Sequence, residues 1–145
     1  MRKKAINQTK FVFPGRSSNE SFARSAVAAF VAQLDPTVDE LADLKTAVSE
    51  AVTNCIVHAY PGRLGDVYIT VSLHEKGLVR VRIADRGVGI ADVAAAMQPL
   101  ASGGGGERAG LGFTVMQTFM DTLRVRSAPG RGTVVVMEKT IAGRG

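Results

Sequence analysis

Hydrophobic spacing in this chain changes period at Pro61-Gly62, and that punctuation constrains the fold more than any compositional total. Upstream, Thr37 and Glu40 form a capping box that opens a helical pattern running to about Tyr60. Downstream, Val67, Ile69, Val71 and Leu73 alternate with Tyr68, Thr70, Ser72 and His74. After Glu75-Lys76-Gly77, the residues Val79, Val81 and Ile83 alternate with Arg80 and Arg82. A period of about 3.6 residues gives way to a period of two, which predicts a long amphipathic helix leading into a hairpin with one buried face.

The flanking segments extend this pattern. Lys10 to Phe13 alternates as a strand and is stopped by Pro14-Gly15. Ser17 with Glu20 fits another capping box, after which Phe22, Ala26, Phe30 and Leu34 recur at helical spacing up to Asp35-Pro36. Beyond the hairpin come a short helical stretch near Ala91 to Met97, a glycine-rich segment from Ser102 to Arg108, and a helical pattern from Leu111 to about Met120. Leu123 and Val125 alternate with Arg124 and Arg126, and Pro129-Gly130-Arg131-Gly132 turns into a last strand from Thr133 to Ile141. The expected architecture is an α+β two-layer sandwich, a mixed, mostly antiparallel sheet with helices on one face. With 145 residues, 46% of them hydrophobic, the chain suits one domain spanning residues 1–145.

Several function classes are excluded by simple counts. Cys55 is the only cysteine and cannot form an internal disulfide, and with only His58 and His74 beside it no structural zinc set assembles. The longest unbroken apolar run, Ala26 to Ala32, is seven residues, and the basic Met1 to Lys4 runs into polar Asn7-Gln8-Thr9. Neither a signal peptide nor a membrane span is expected, and a reducing cytoplasm is the simplest home. A formal charge of +5 favours an acidic partner or an anionic ligand without identifying either. If the hairpin and the late strand share one sheet, Arg80, Arg82, Arg124 and Arg126 crowd its outer face. No aromatic residue interleaves with them to stack on bases, so direct nucleic-acid binding is not expected.

Glycine points to the place where chemistry is to be sought. Of the 16 glycines, eight fall between Gly87 and Gly112, where backbone must turn sharply or approach a ligand. Asp85-Arg86-Gly87-Val88-Gly89 follows the second hairpin strand, and Asp85 continues the series Val79, Val81, Ile83, which turns it toward the buried side. A carboxylate there needs a donor, which the exocyclic amino group of a purine could supply; the plainer reading is a strand-ending turn. On the long helix, Glu50, Asn54 and His58 repeat along one edge. The amide oxygen of Asn54 suits Mg²⁺ and the carboxylate of Glu50 suits a hydroxyl proton, though such a row is equally the wet edge of an amphipathic helix.

Two further segments bear on the same ligand. Gly110-Leu111-Gly112 sits where a helical pattern starts, so its amides and the helix dipole could hold phosphates, with Arg108 adding charge. The run Gly103 to Gly106 reads as a flexible loop, which also suits a lid. Thr133 shares parity with Val135 and Met137, so its hydroxyl faces inward, toward the same base, an ordered water or the backbone.

Taken in order, these segments resemble the GHKL ATPase family, whose Bergerat ATP-binding fold is shared by histidine kinases and gyrase. Glu50-Ala51-Val52-Thr53-Asn54 is similar to its N box, Asp85 to Gly89 to its first glycine box, Gly110-Leu111-Gly112-Phe113 to its second, and Gly132-Thr133 to its late threonine motif. Asn19-Glu20-Ser21-Phe22-Ala23-Arg24, Gln98-Pro99-Leu100 and Gly112-Phe113-Thr114-Val115-Met116 resemble the anti-sigma serine-kinase branch found in endospore-forming bacteria. That resemblance implies a cytoplasmic homodimer that binds ATP or ADP with Mg²⁺, holds sporulation sigma factor F inactive, and phosphorylates a serine of an anti-anti-sigma factor.

It also implies roles for single residues. Glu50 matches the general base, Asn54 the Mg²⁺ ligand and Asp85 the residue bonded to the adenine amino group. Gly87 and Gly89 match the turn beneath the base, Gly110 and Gly112 the phosphate-side turn, and Arg24 the arginine at which protein partners dock. By composition alone Arg24 is a solvated helix-face charge. The family's lid usually bears hydroxyl and lysine side chains, whereas Ser102-Gly103-Gly104-Gly105-Gly106 offers almost none, so weaker nucleotide retention or slower transfer is expected. The alternatives are a nucleotide-gated binding module that transfers nothing, or a related kinase governing a stress sigma factor.

Overall fold

A computed structural model describes residues 5–97 and 106–143, with the backbone alone for 106–109. Its elements run β1 (Asn7–Pro14), α1 (Asn19–Val31), α2 (Val38–Asn54), β2 (Asp66–Leu73), β3 (Leu78–Asp85), α3 (Val93–Ala96), α4 (Gly106–Phe119), β4 (Thr122–Ala128) and β5 (Gly132–Thr140). Met1 to Lys4, Gln98-Pro99-Leu100, Ser102 to Gly105 and the side chain of Arg108 lie outside the described residues.

Capping decides where the two long helices begin. Thr37 Oγ1 accepts from Glu40 N at 3.1 Å and Glu40 Oε1 accepts from Thr37 N at 2.9 Å, so the expected box opens α2. The box expected at Ser17 and Glu20 does not form. Because α1 starts at Asn19, Glu20 falls one position early for the reciprocal bond, and it accepts Arg24 Nη1 at 2.8 Å instead. The pattern expected to run to Tyr60 is helical throughout but not of one pitch: α2 ends at Asn54 and Cys55–Ala59 forms a single π-helical turn. That wider turn brings the Ala59 carbonyl to the exit of β3, where it accepts from Val88 N at 2.8 Å.

The strands form one sheet in the order β1-β2-β3-β5-β4. All four pairings are antiparallel, which corrects the expectation of a mixed sheet. The reason lies in the β3 to β5 connection, which passes through β4, whose hairpin reverses the chain before β5 pairs with β3. The helices pack on one face. Val27 and Val31 of α1, Leu44, Val48 and Val52 of α2, and Phe113 and Met116 of α4 bury themselves against Ile69, Val71, Val81, Ile83 and Met137 of the sheet. The result is the α+β sandwich expected from the periodicity.

On the other face, register aligns Lys10, Thr70, Arg82, Val136 and Arg124 across the five strands. Arg80, one pair along, meets Glu138 at 2.7 Å. The four arginines therefore do share the outer face, as parity requires. Among the described residues no helix is long and apolar enough to cross a membrane.

Candidate functional site

The centre of the site is where β3 ends. Asp85 pairs directly with Thr133 of β5 and is 7% exposed, on the helix-covered side that its parity predicts. A buried carboxylate demands donors, and the backbone supplies two. Oδ1 accepts from Gly87 N at 3.0 Å and from Thr133 N at 3.1 Å. The Cys55 thiol lines the same cavity close enough to feel the Asp85 charge. Burial above all, and then the Asp85 charge, push the Cys55 thiol well above the usual thiol range, so it stays protonated.

The turn after Asp85 is held by backbone packing. A Cβ on Gly87 would strike the Ala59 carbonyl, and Gly89 has φ +77 with its missing Cβ aimed at the Ala128 carbonyl. Neither position has room for a side chain, and Gly89 also occupies backbone space that other residues enter only at a cost. Nearby, Tyr60 Oη donates to Asp66 O at 2.8 Å and accepts from Arg86 N at 2.7 Å, which ties the π-helical turn to both strands of the hairpin. Burial is the main cause that raises the Tyr60 phenol above its ordinary value.

Asp85 and Thr133 lie in a cavity of about 200 Å³ roofed by helix. Asn54 lines it from the end of α2, Cys55 and His58 from the π-helical turn, Ile83 and Val135 from the sheet, Gly89, Ile90 and Ala96 from the loop and short helix after β3, and Phe113 from α4. The walls are mostly apolar, with Asp85 paired to Thr133 among the few polar groups, which fits a flat heterocycle with a polar rim. Beside Asn54, one of the lining residues, α4 comes close to α2. A Cβ on Gly112 would lie 3.2 Å from Glu50 Oε2 and 3.3 Å from both amide atoms of Asn54. The row read along the α2 edge is therefore brought together with a glycine of the second box.

Asn54 Nδ2 is buried without a hydrogen-bond partner among the described residues. A phosphate oxygen would satisfy it and leave Oδ1 free for a cation. Mg²⁺ takes six oxygens and keeps several from water and phosphate, so one amide oxygen beside a nucleotide suffices. The donor set thus fits Mg²⁺ held jointly with a phosphorylated ligand. It does not fit a cation held by protein alone: among the described residues no group of three or more His, Cys, Asp or Glu is placed to hold one.

Two expected site residues sit differently from their sequence reading. The helix holding Gly110 and Gly112 begins at Gly106, about one turn before Leu111, so both glycines lie inside α4. The amides that lack intrahelical acceptors at such a start belong to residues 106–109. Glycine in the first turns had concealed the helix, because it is a weak helix former that tertiary contact with α2 can override. Arg24 lies on α1 outside the cavity, paired with Glu20, its side chain 38% exposed.

One residue was missed. Ser127 Oγ lies 2.8 Å from Thr133 Oγ1, and its parity with Leu123 and Val125 could have marked it as inward-facing. Cys55 was visible only as part of an apolar stripe, since nothing local reveals that it reaches Asp85.

The histidine kinase-like ATPase domain family matches residues 13–139. The anti-sigma F factor of Caldanaerobacter subterraneus subsp. tengcongensis is 55% identical over 136 residues, covering 93% of this chain and 94% of its own. That of Pasteuria penetrans is 54% identical over 137 residues, covering 93% and 91%. Among solved structures, the RsbU and RsbW domains of a Mycobacterium tuberculosis protein match with a TM-score of 0.69 at 17% identity, over 94% of this chain and 33% of that one. Full-length ShkA in complex with AMPPNP matches with a TM-score of 0.58 at 20% identity, over 97% of this chain and 33% of that one. At such identities these two structures share the fold.

Proposed function

Since the chain belongs to the histidine kinase-like ATPase family, in its anti-sigma F factor branch, we propose that it is an ATP-dependent protein serine kinase that binds sporulation sigma factor F and phosphorylates a serine of an anti-anti-sigma factor. The observation that carries the reading is the convergence of Glu50 and Asn54 on Gly112, with Asn54 also lining the Asp85 cavity. A base-sized, mostly apolar cavity that holds one carboxylate and one carboxamide, with a second carboxylate beside that carboxamide, suits phosphoryl transfer from a purine nucleotide.

In this reading the adenine of ATP enters the cavity over Gly87 and Gly89 with its amino group toward Asp85. The triphosphate extends past Asn54, where its carboxamide and the amides at the start of α4 hold it; the Arg108 charge expected to help lies outside the described side chains. Mg²⁺ on Asn54 would neutralise charge on the transferring group. Glu50 accepts the proton of the incoming serine hydroxyl as its oxygen bonds to the γ-phosphorus and ADP departs with the bond electrons. Gly110 lies within α4, two residues before the Gly112 that faces Glu50 and Asn54. Arg24 on α1 supplies a docking charge for the protein partners, and a homodimer is the working assembly.

The test is radiolabelled ATP incubated with the anti-anti-sigma factor as acceptor. Label should appear on that protein with the wild-type chain and vanish with Glu50→Ala, while ATP and sigma-factor binding persist. Binding of ATP without any transfer by the wild type would instead indicate a nucleotide-gated module, and loss of all three activities in Glu50→Ala would make Glu50 structural.

A further inference from the structure

Ser127, near the end of β4, belongs to none of the motifs above, yet its hydroxyl is the hub of the hydrogen bonds behind the cavity. Its Oγ is 2.9 Å from the Gly132 carbonyl, 2.7 Å from Ile90 N and 2.8 Å from Thr133 Oγ1. A hydroxyl has one proton and two lone pairs. The carbonyl of Gly132 can only accept, so the Ser127 proton goes there. Ile90 N can only donate, so it takes one lone pair. One lone pair remains for Thr133, which must therefore be the donor.

The consequence falls on the ligand. Thr133 has a single hydroxyl proton, and it is committed to Ser127. What Thr133 Oγ1 can offer to the cavity is a lone pair, beside Asp85, which when ionised offers lone pairs alone. We propose that Ser127 is a specificity-determining residue: by fixing the Thr133 hydroxyl as an acceptor it makes the edge formed by the Asp85 and Thr133 side chains acceptor-only. Such an edge receives an amino group and meets a carbonyl at the same position with lone pairs opposed. Ser127 thus acts through Thr133 as a positioning residue that selects 6-amino purines over 6-oxo purines. The inference rests on the nucleotide reading given above and deepens it.

ATP and inosine triphosphate carry the same triphosphate and differ only at the 6-substituent and the N1 proton beside it, so their affinity ratio reads this edge, and its change on removing Ser127 reads the Thr133 proton. The full chain is titrated with each, alongside Ser127→Ala, Thr133→Val and the double variant. Wild type should prefer ATP. Ser127→Ala should narrow the preference about tenfold, chiefly by tightening the inosine nucleotide, since the released Thr133 hydroxyl can turn its proton to the 6-oxo group. In the Thr133→Val background the same Ser127 change should leave the ratio unmoved, the non-additivity expected of residues acting as one unit. Ser127→Thr, which keeps the hydroxyl, should restore the wild-type ratio.

Ser127 also holds Ile90 N, so a purely structural role would lower the melting temperature and weaken both nucleotides alike; an unchanged ratio in Ser127→Ala would overturn the proposal. If that variant does not fold at the assay temperature, Ser127→Cys, a weak donor, reads the same ratio with the same two outcomes. Wild type binding inosine triphosphate as well as ATP refutes the polarity argument alone. Binding of neither refutes the nucleotide reading itself, and this proposal with it.

Discussion

Replacing Gly112 by alanine separates stability from chemistry at this site. Gly112 is buried in α4 in a backbone conformation open to any L-residue, so the change removes the helix penalty of glycine and should stabilise the fold by about 1 kcal/mol. For a chain of this size that is a rise of about 3 °C in Tm. The new methyl carbon, however, would stand 3.2 Å from Glu50 Oε2 and 3.3 Å from both amide atoms of Asn54, inside ordinary contact distance. Those groups must retreat by about 0.3 Å. If a misplacement of about 1 Å costs on the order of 100-fold in rate, a proportional scaling predicts about a fourfold loss of phosphoryl transfer. Thermal melting and single-turnover transfer from radiolabelled ATP, measured on one preparation, give both numbers. A lower Tm with full transfer would refute the reasoning, since it would mean that the α2–α4 contact is a packing constraint and not a spacing of reacting groups.

Other perturbations probe the supports of the site. Glu40 Oε1 and Oε2 accept from Thr37 N, Ala142 N and Gly143 N, and the backbone bonds from Thr37 and then Ala142 lead the causes that hold its carboxyl below the ordinary 4.5. A depressed folded value means that this stabilisation is complete above the unfolded pKa and is lost as pH falls through the lower folded one. Glu40→Gln should therefore lower Tm at neutral pH and flatten its decline below about pH 4.5, as read by melts across a pH series. Cys55, raised by burial and by Asp85, should resist iodoacetamide in the folded chain at pH 8 and react fully once urea unfolds it, by mass spectrometry. Rapid labelling of the native chain would contradict the buried thiol.

How much of this was legible in the residues depends on the range of the forces involved. The strand and helix periods, the Thr37 box and the inward parity of Asp85 and Thr133 were readable because each is set within a few residues by backbone geometry. The Ser17 box misled because a one-residue shift in where α1 starts moves Glu20 out of frame, and the start depends on how β1 delivers the chain. The first turn of α4 was hidden by its glycines, whose weak propensity is outweighed by contact with α2.

The sequence by itself determined which side chains face inward on the strands and on α2, and through the motif order it determined the family; on α1 the stripe Phe22, Ala26, Phe30 and Leu34 misled, because the helix buries Ala23, Val27 and Val31 and leaves Phe22 exposed. It could not show that Asp85 sits opposite Thr133, 48 residues away, that Cys55 reaches Asp85, or that Ser127 orients the Thr133 hydroxyl. Those are pairings between strands and across layers, set by register and by helix packing, and their free energy exists only once the chain has closed on itself. The same holds for charge. A total of +5 is silent about location, and only the strand order places Arg80, Arg82, Arg124 and Arg126 together on the sheet face away from the cavity.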